Sequence, residues 1–326
     1  MMGKYSSPEK TAWAASLPDS YYREMVPAIE ELTQDWFSAS DIGEGYDVYL
    51  RDCYLYGRMD QCHSWVMPWI ETAVAALPEK TVLEVGCGNG TSTVPIALKA
   101  RHVYAFDIDA KSLEVARKRC AALNVANVSI FQRDTGWIND YARDWRTICG
   151  DEVDVIYAYA LLEHLMPLER ITFLEAAWRH LPVGGHLIIV ECPNRLFWFD
   201  WHSSQMPFAD TLPAELAFLY NGISKRAGIW SSVKAQSPGD VAMCDREKLY
   251  RWGRGASYHE FLLALGDRFE IAAGPGSPNA IGRHQFYGTH GAEWEACLAK
   301  ILQGLDPPID PAFAAPSLDL ILTRTQ

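Results

Sequence analysis

The stretch Thr81-Val82-Leu83-Glu84-Val85-Gly86-Cys87-Gly88-Asn89-Gly90-Thr91 decides how this chain folds. Strand-favouring residues run straight into three glycines at alternate positions, and Thr91 to Ala100 then reads as a helix, with Pro95 early enough to be tolerated in its first turn. A strand that breaks on glycines into a helix lets backbone N–H groups and the positive helix end face a ligand closely. Asp107 stands 21 positions after Gly86, at the end of the apolar run His102 to Phe106. A carboxylate there can accept both hydroxyls of a ribose, so turn and acid together indicate a nucleoside-bearing ligand.

The spacing is G-x-G-x-G, whereas the dinucleotide fingerprint is G-x-G-x-x-G with a diphosphate over the helix start. Glu84, two residues before Gly86, would repel a diphosphate and attract the ammonium of an amino-acid moiety, directly or through water. The string from Leu83 to Gly90 resembles motif I of the class I S-adenosylmethionine (SAM)-dependent methyltransferases. The resemblance continues in Phe106-Asp107-Ile108-Asp109, Gln132-Arg133-Asp134, Leu162-Glu163-His164 and Leu181-Pro182-Val183-Gly184-Gly185, in the family's order over about residues 80 to 195. It implies S-adenosyl-L-methionine as cofactor, with Gly86, Gly88 and Gly90 against the methionine part, Glu84 near its ammonium and Asp107 on the ribose. Ile108 would pack on the adenine, Asp134 would take the adenine amino group, and Ala160 or Leu161 would line the sulfonium side. Asp107 could instead cap a helix, although Asp109 is better placed for that, and Asp134 could be a turn residue.

With 326 residues, 49% apolar and 21% charged, the chain reads as an ordinary globular protein. A formal charge of −12 and the lack of a basic stripe argue against nucleic acid as a partner. The apolar runs are far short of a membrane span and Met1 to Pro18 lacks a secretory layout, so no membrane partner is expected. The eight cysteines form no Cys-x-x-Cys, which disfavours zinc and a disulfide framework and points to free thiols in the cytoplasm. Nothing in the sequence speaks to the oligomeric state.

Alternation of strand and helix specifies an α/β fold: a doubly wound, mostly parallel seven-stranded sheet. Strands are expected at Thr81 to Val85, His102 to Phe106, Val128 to Gln132, Val153 to Tyr159, His186 to Glu191, Phe269 to Ala273 and Leu318 to Arg324, the last antiparallel as in the family. Helices are expected over Tyr21 to Phe37, Met59 to Leu77, Ala110 to Asn124, Leu168 to Leu181, Ala214 to Asn221, Tyr258 to Gly266 and Glu293 to Leu305. The resemblance implies four regions: an N-terminal helical cover (1–78), a SAM-binding core (79–192), an acceptor-binding insertion after the fifth strand (193–256) and a completion of the sheet (257–326). Trp137, Tyr141 and Trp145 share a helical spacing that core packing explains as well as ligand contact does.

The leading reading is methyl transfer from SAM to an oxygen or nitrogen of a small molecule. Deprotonating such an acceptor falls to His164, after the fourth strand, or to His202 in the aromatic insertion. Trp198, Asp200 and Trp201 would line the acceptor pocket, or would plug the sheet edge. Glu163, His164, Glu191 and Asp200 offer no tight ligand spacing, so no metal is expected. Tyr157-Ala158-Tyr159-Ala160 lacks the Asn/Asp-Pro-Pro-aromatic tetrad of adenine-amine methylation, and a single Glu163 does not make the glutamate pair of arginine methylation. The alternatives are a catalytically silent SAM-binding subunit and, disfavoured by glycine spacing and Glu84, a nicotinamide-dependent oxidoreductase.

Overall fold

The computed structural model describes residues 12–34, 46–133, 149, 153–235, 246–275 and 288–326. Asp134, Trp137, Tyr141 and Trp145 lie outside the described residues. Seven strands form one sheet: β1 (Thr81–Val85), β2 (His102–Asp107), β3 (Val128–Gln132), β4 (Val155–Tyr159), β5 (His186–Val190), β6 (Phe269–Ala273) and β7 (Leu320–Arg324), in the order β3-β2-β1-β4-β5-β7-β6. β1 pairs in parallel with β2 and β4, β2 with β3, while β6 and β7 run antiparallel. All seven strands fall where the alternation puts them, and the last pair has the expected direction.

The chain divides into two compact units, one running up to Tyr159 and including His180–His186, the other holding Ala160–Arg179 and Leu187–Gln326. In the first, every residue of β1 and β4 is buried, as in strands covered on both faces. The register pairs Val85 with Phe106, so Gly86 and Asp107 leave the sheet side by side. The helix Asp19–Thr33 buries Tyr21, Met25, Ile29 and Leu32 and packs on the helix Ala110–Ala122. It starts and stops before the predicted Tyr21 to Phe37 because the apolar spacing marks the buried face, not the ends. Instead of one helix over Met59 to Leu77, helical turns run from Gly57 through Ala73 with a wide π segment at Cys62–Val66. Cys62, Val66, Trp69 and Ile70 are still all buried.

In the second unit, the helix Pro167–His180 buries Phe173, Leu174, Ala177 and Trp178. The segment after β5 begins as a hairpin, with Phe199 bridged to Pro207 and the Phe208 N–H donating to the Trp198 carbonyl at 2.5 Å. Helices Ala214–Tyr220, Ala227–Ala235 and Arg246–Gly253 follow, and Phe218, Trp230 and Leu249 form a small core of their own with Trp252 packed on it. The last two helices were not expected. Each is short, one has a glycine in its first turn and the other is half charged, so neither carries a long apolar period.

Candidate functional site

The turn after β1 is held by backbone conformations that favour glycine. Gly86, Gly88 and Gly90 have φ of 77°, 51° and 82°. The N–H groups of Gly86 and Cys87 both donate to the Phe106 carbonyl, at 2.8 and 3.0 Å, which clamps the turn to the end of β2. At Gly90 a Cβ would stand 3.0 Å from the Ala116 Cβ, so this glycine also lets the Ala110–Ala122 helix approach. A Cβ at Gly88 would meet nothing within 4 Å: that side of the turn is open.

Asp107 joins the turn directly. Its Oδ2 accepts the Gly88 N–H at 2.7 Å and its Oδ1 the Asp109 N–H at 2.9 Å. Burial raises its pKa above the usual carboxylate value, opposed by these N–H groups. The helix cap is Asp109, whose side chain accepts from the Ser112 N–H at 2.9 Å. Ile108, between the two acids, is 55% exposed, an apolar face next to a carboxylate and an open glycine turn. Glu84 lies beneath the turn with no exposed surface, so it would act on a ligand through Ser92 or through its field. One of its oxygens accepts from the Ser92 hydroxyl at 2.5 Å and the other has no hydrogen-bond partner among the described residues. Burial pushes its pKa up to about 7, against the pull of the Ser92 hydrogen bond.

The sequence offered no sign that Arg119 belongs to this assembly. It is fully buried in the Ala110–Ala122 helix, where the apolar spacing had marked only Leu113, Ala116, Cys120 and Leu123. Its guanidinium donates to the carbonyl of Asn89 at 2.9 Å, to those of Leu55 and Tyr54 at 2.7 and 2.5 Å, and to the Tyr21 hydroxyl. Burial lowers its pKa. One cation thus fastens two parts of the N-terminal helical region to the glycine turn. The planar fork of arginine suits such a multi-acceptor role.

In the second unit a separate polar cluster brings together both candidate bases. His164 Nε2 and His202 Nε2 each lie 3.8 Å from Oε1 of Glu163, with the rings edge to face at 5.3 Å. Glu163 is fully buried and the histidines are partly exposed. His202 stands in the hairpin loop, whose shape Asp200 sets by accepting from the N–H groups of His202, Ser203 and Ser204 at 2.9, 2.9 and 2.5 Å. Asp200 is itself buried. Trp198 packs against Phe199 and Phe208, and the Trp201 indole donates to the Pro316 carbonyl at 3.1 Å. Ala160 follows β4 with φ 49° and donates to the Val190 carbonyl at 2.8 Å. Supports missed in the sequence are Arg251, whose carbonyl lies 2.8 Å from His164 Nδ1, and Gly253, where a Cβ would come within 2.5 Å of His202 Nδ1.

Among known proteins, residues 82–185 match the family described as Methyltransferase domain. A ribosomal protein L11 methyltransferase of Thermoanaerobacter sp. (strain X514) is 44% identical over 59 residues, 18% of this chain and 19% of that protein. A protein-L-isoaspartate O-methyltransferase of Synechococcus sp. is 30% identical over 118 residues, 35% of this chain and 47% of that one. The chain thus spans less than half the length of these curated relatives. A solved phosphoethanolamine N-methyltransferase of Haemonchus contortus, in complex with phosphoethanolamine and S-adenosylhomocysteine, is 21% identical with a TM-score of 0.36, covering 51% of this chain and 32% of that one. The match begins inside β1 and takes in the glycine turn, Asp107 and the Leu-Glu-His segment. What the chain shares with known proteins is thus a methyltransferase domain over residues 82–185.

Proposed function

We propose that this chain is a methyltransferase that uses S-adenosyl-L-methionine to methylate an oxygen or nitrogen of a small molecule. The observation that carries the reading is the 2.7 Å hydrogen bond between Gly88 and Asp107, which joins an open glycine turn to the acid suited to a ribose. The residues fit the cofactor. Gly88 leaves backbone open to the methionine part, in a turn that Gly86 and Gly90 shape, Asp107 retains lone pairs for ribose hydroxyls, and exposed Ile108 suits an adenine face. The partly satisfied carboxyl of Glu84 favours an ammonium above it. Asp134 and Ala160 keep their proposed roles at the adenine amine and the sulfonium.

Bound SAM supplies an electrophilic methyl group whose transfer disperses charge, so positioning provides most of the acceleration. The acceptor's proton is taken by His164 or His202, each of which presents Nε2 toward Glu163. The 193–256 insertion, with Trp198, Asp200 and Trp201, is the proposed acceptor-binding region, Asp200 acting by shaping the His202 loop. The net charge of −12 supports a small acceptor over nucleic acid. The seven described cysteines are free, and no described helix is long and apolar enough to cross a membrane. The free thiols support a cytoplasmic setting.

Thermal denaturation with SAM, S-adenosylhomocysteine and NAD tests the cofactor: the first two should raise the midpoint and NAD should not. A midpoint raised by NAD alone would sink the reading. Methyl release to a panel of small hydroxyl and amine compounds, set beside ribosomal protein and RNA, then tests the acceptor. SAM binding with no release to any of them would favour a silent SAM-binding subunit.

A further inference from the structure

The hydrogen bonds behind the two histidine rings determine what their Nε2 atoms can do. His164 Nδ1 faces the Arg251 carbonyl at 2.8 Å, a group that can only accept, so Nδ1 carries the ring proton. His202 Nδ1 lies 3.1 Å from the Ser203 hydroxyl, which gives its own proton to the Gly253 carbonyl and therefore accepts from the ring. Both Nε2 atoms are left with lone pairs, and both face the same oxygen of Glu163. The three ligand atoms lie within 4.8 Å of one another. A histidine whose tautomer is set at Nδ1 by a carbonyl or hydroxyl, with Nε2 turned toward a carboxylate, is arranged as metal ligands are.

We propose that Glu163, His164 and His202 bind a divalent cation of the zinc class through Glu163 Oε1 and the two Nε2 atoms. This goes beyond the methyltransferase reading and does not depend on it. The Nε2-to-oxygen separations of 3.8 Å are too long for hydrogen bonds. They exceed by about half an ångström the roughly 3.3 Å ligand separation of a tetrahedral site with bonds of about 2.0–2.1 Å, and with the three atoms within 4.8 Å of one another the rings would turn inward to close the set. Two imidazoles with one carboxylate suit zinc, iron or cobalt, whereas magnesium and calcium take oxygen ligands.

Burial of Glu163 strengthens its pull on a cation, since little water screens it. The side chains of His164 and His202 are 40% and 24% exposed, so a fourth position stays open to water or an acceptor oxygen, as in sites where zinc does chemistry. The support is built for position. Asp200 holds the His202 loop, Arg226 donates to the His202 carbonyl at 2.5 Å, and Arg251 reaches the His164 carbonyl while paired to Glu169 at 2.6 and 2.7 Å. No short spacing announces the set, because His202 is far along the chain from Glu163-His164. Hence the sequence suggested no metal; the hairpin makes the three neighbours. A bound ion would take up the lone pairs assigned above to the base and would lower the pKa of a coordinated hydroxyl in their place.

Untagged full-length protein, stripped with chelator, is titrated with Co²⁺ and followed by visible absorption. One Co²⁺ per chain is expected, displaced by Zn²⁺ and indifferent to excess Mg²⁺. His164→Ala and His202→Ala should each weaken Co²⁺ binding by about ten- to a hundredfold, the range seen when a metal site is disturbed. Glu163→Gln should do the same if it folds, but the two part-exposed histidines carry the test. The absence of a saturable band, or a band that survives in both histidine variants, overturns the proposal. Methyl release without Co²⁺ binding would sink the metal site and leave the methyltransferase reading; Co²⁺ binding without methyl release would do the reverse.

Discussion

The groups proposed for the cofactor at the glycine turn come from one stretch, Glu84 to Asp109, in which each group follows from its neighbours along the chain. The histidine cluster takes Glu163 and His164 from the turn after β4, His202 from a hairpin loop, and its supports from Arg251 and Gly253. In the first region strand register alone brings the acid to the glycines, since Val85 and Phe106 are paired. In the second, only Glu163 and His164 are chain neighbours; His202 comes from a distant hairpin loop, and Asp200, Arg226 and Arg251 hold the loops that carry the two histidines. A locally encoded site should therefore lose ligand binding when its own residues change, and an assembled one should fail when its supports change.

Arg119 gives the comparison its sharpest test, because it ties the local site to residues far from it in the chain. Arg119→Ala removes the shared donor of the Asn89, Leu55 and Tyr54 carbonyls and the Tyr21 hydroxyl, and leaves Leu55 with the Tyr21 hydroxyl alone. It should destabilise the protein by about 3–5 kcal/mol in urea denaturation. A loss below about 1 kcal/mol would mean that the glycine turn stands without the helical region it is fastened to.

Glycines divide the two regions next. At Gly253, with φ 124°, an added Cβ meets His202 Nδ1 at 2.5 Å and Cε1 at 2.6 Å. Gly253→Ala should cost about 1–3 kcal/mol and move the His202 ring, read as a shifted His202 resonance in NMR. Gly88→Ala meets open space, so the cost should be the left-handed backbone alone, about 1–2 kcal/mol, with the main effect on SAM affinity. Equal effects of the two variants on ring position and cofactor binding would erase the distinction between the regions.

Asp107→Ala should weaken SAM binding about ten- to a hundredfold by calorimetry, the size of one or two charge-assisted hydrogen bonds. Unchanged affinity would remove Asp107 from the site.

How much of this was legible follows the same division. The strands, the cap at Asp109 and the meeting of Asp107 with the glycines could be read because each depends on period, turn chemistry or a fixed spacing within one strand–helix–strand unit. Arg119 was hidden because a buried arginine breaks the apolar pattern by which inward faces are found. Glu163 and His164 were weighed together, with Glu191 and Asp200, as possible cation ligands, and His202 only as a base, since no spacing encodes a hairpin that returns it to the other two. The helices Ala227–Ala235 and Arg246–Gly253 were missed because their stability comes from the Trp230 core and not from propensity.

Glu84 carries the smallest effect and the one most specific to the local site. Its folded pKa of about 7 lies above the ordinary 4.5, so the folded chain holds this proton more tightly than the unfolded chain. Stability from this group is present in full below pH 4.5 and is lost as pH rises through 7. Glu84→Gln, which cannot ionise, should gain stability relative to the natural chain across that window and hold a constant difference above it. An ammonium over the turn favours the ionised carboxyl, so SAM binding near pH 7 should release about half a proton. Affinity should then fall roughly threefold to tenfold from pH 8 to pH 6. Calorimetry in two buffers of different ionisation enthalpy measures the release, and the glutamine variant should abolish it. Proton release unchanged in that variant would assign it to another group and leave Glu84 a buried brace for Ser92.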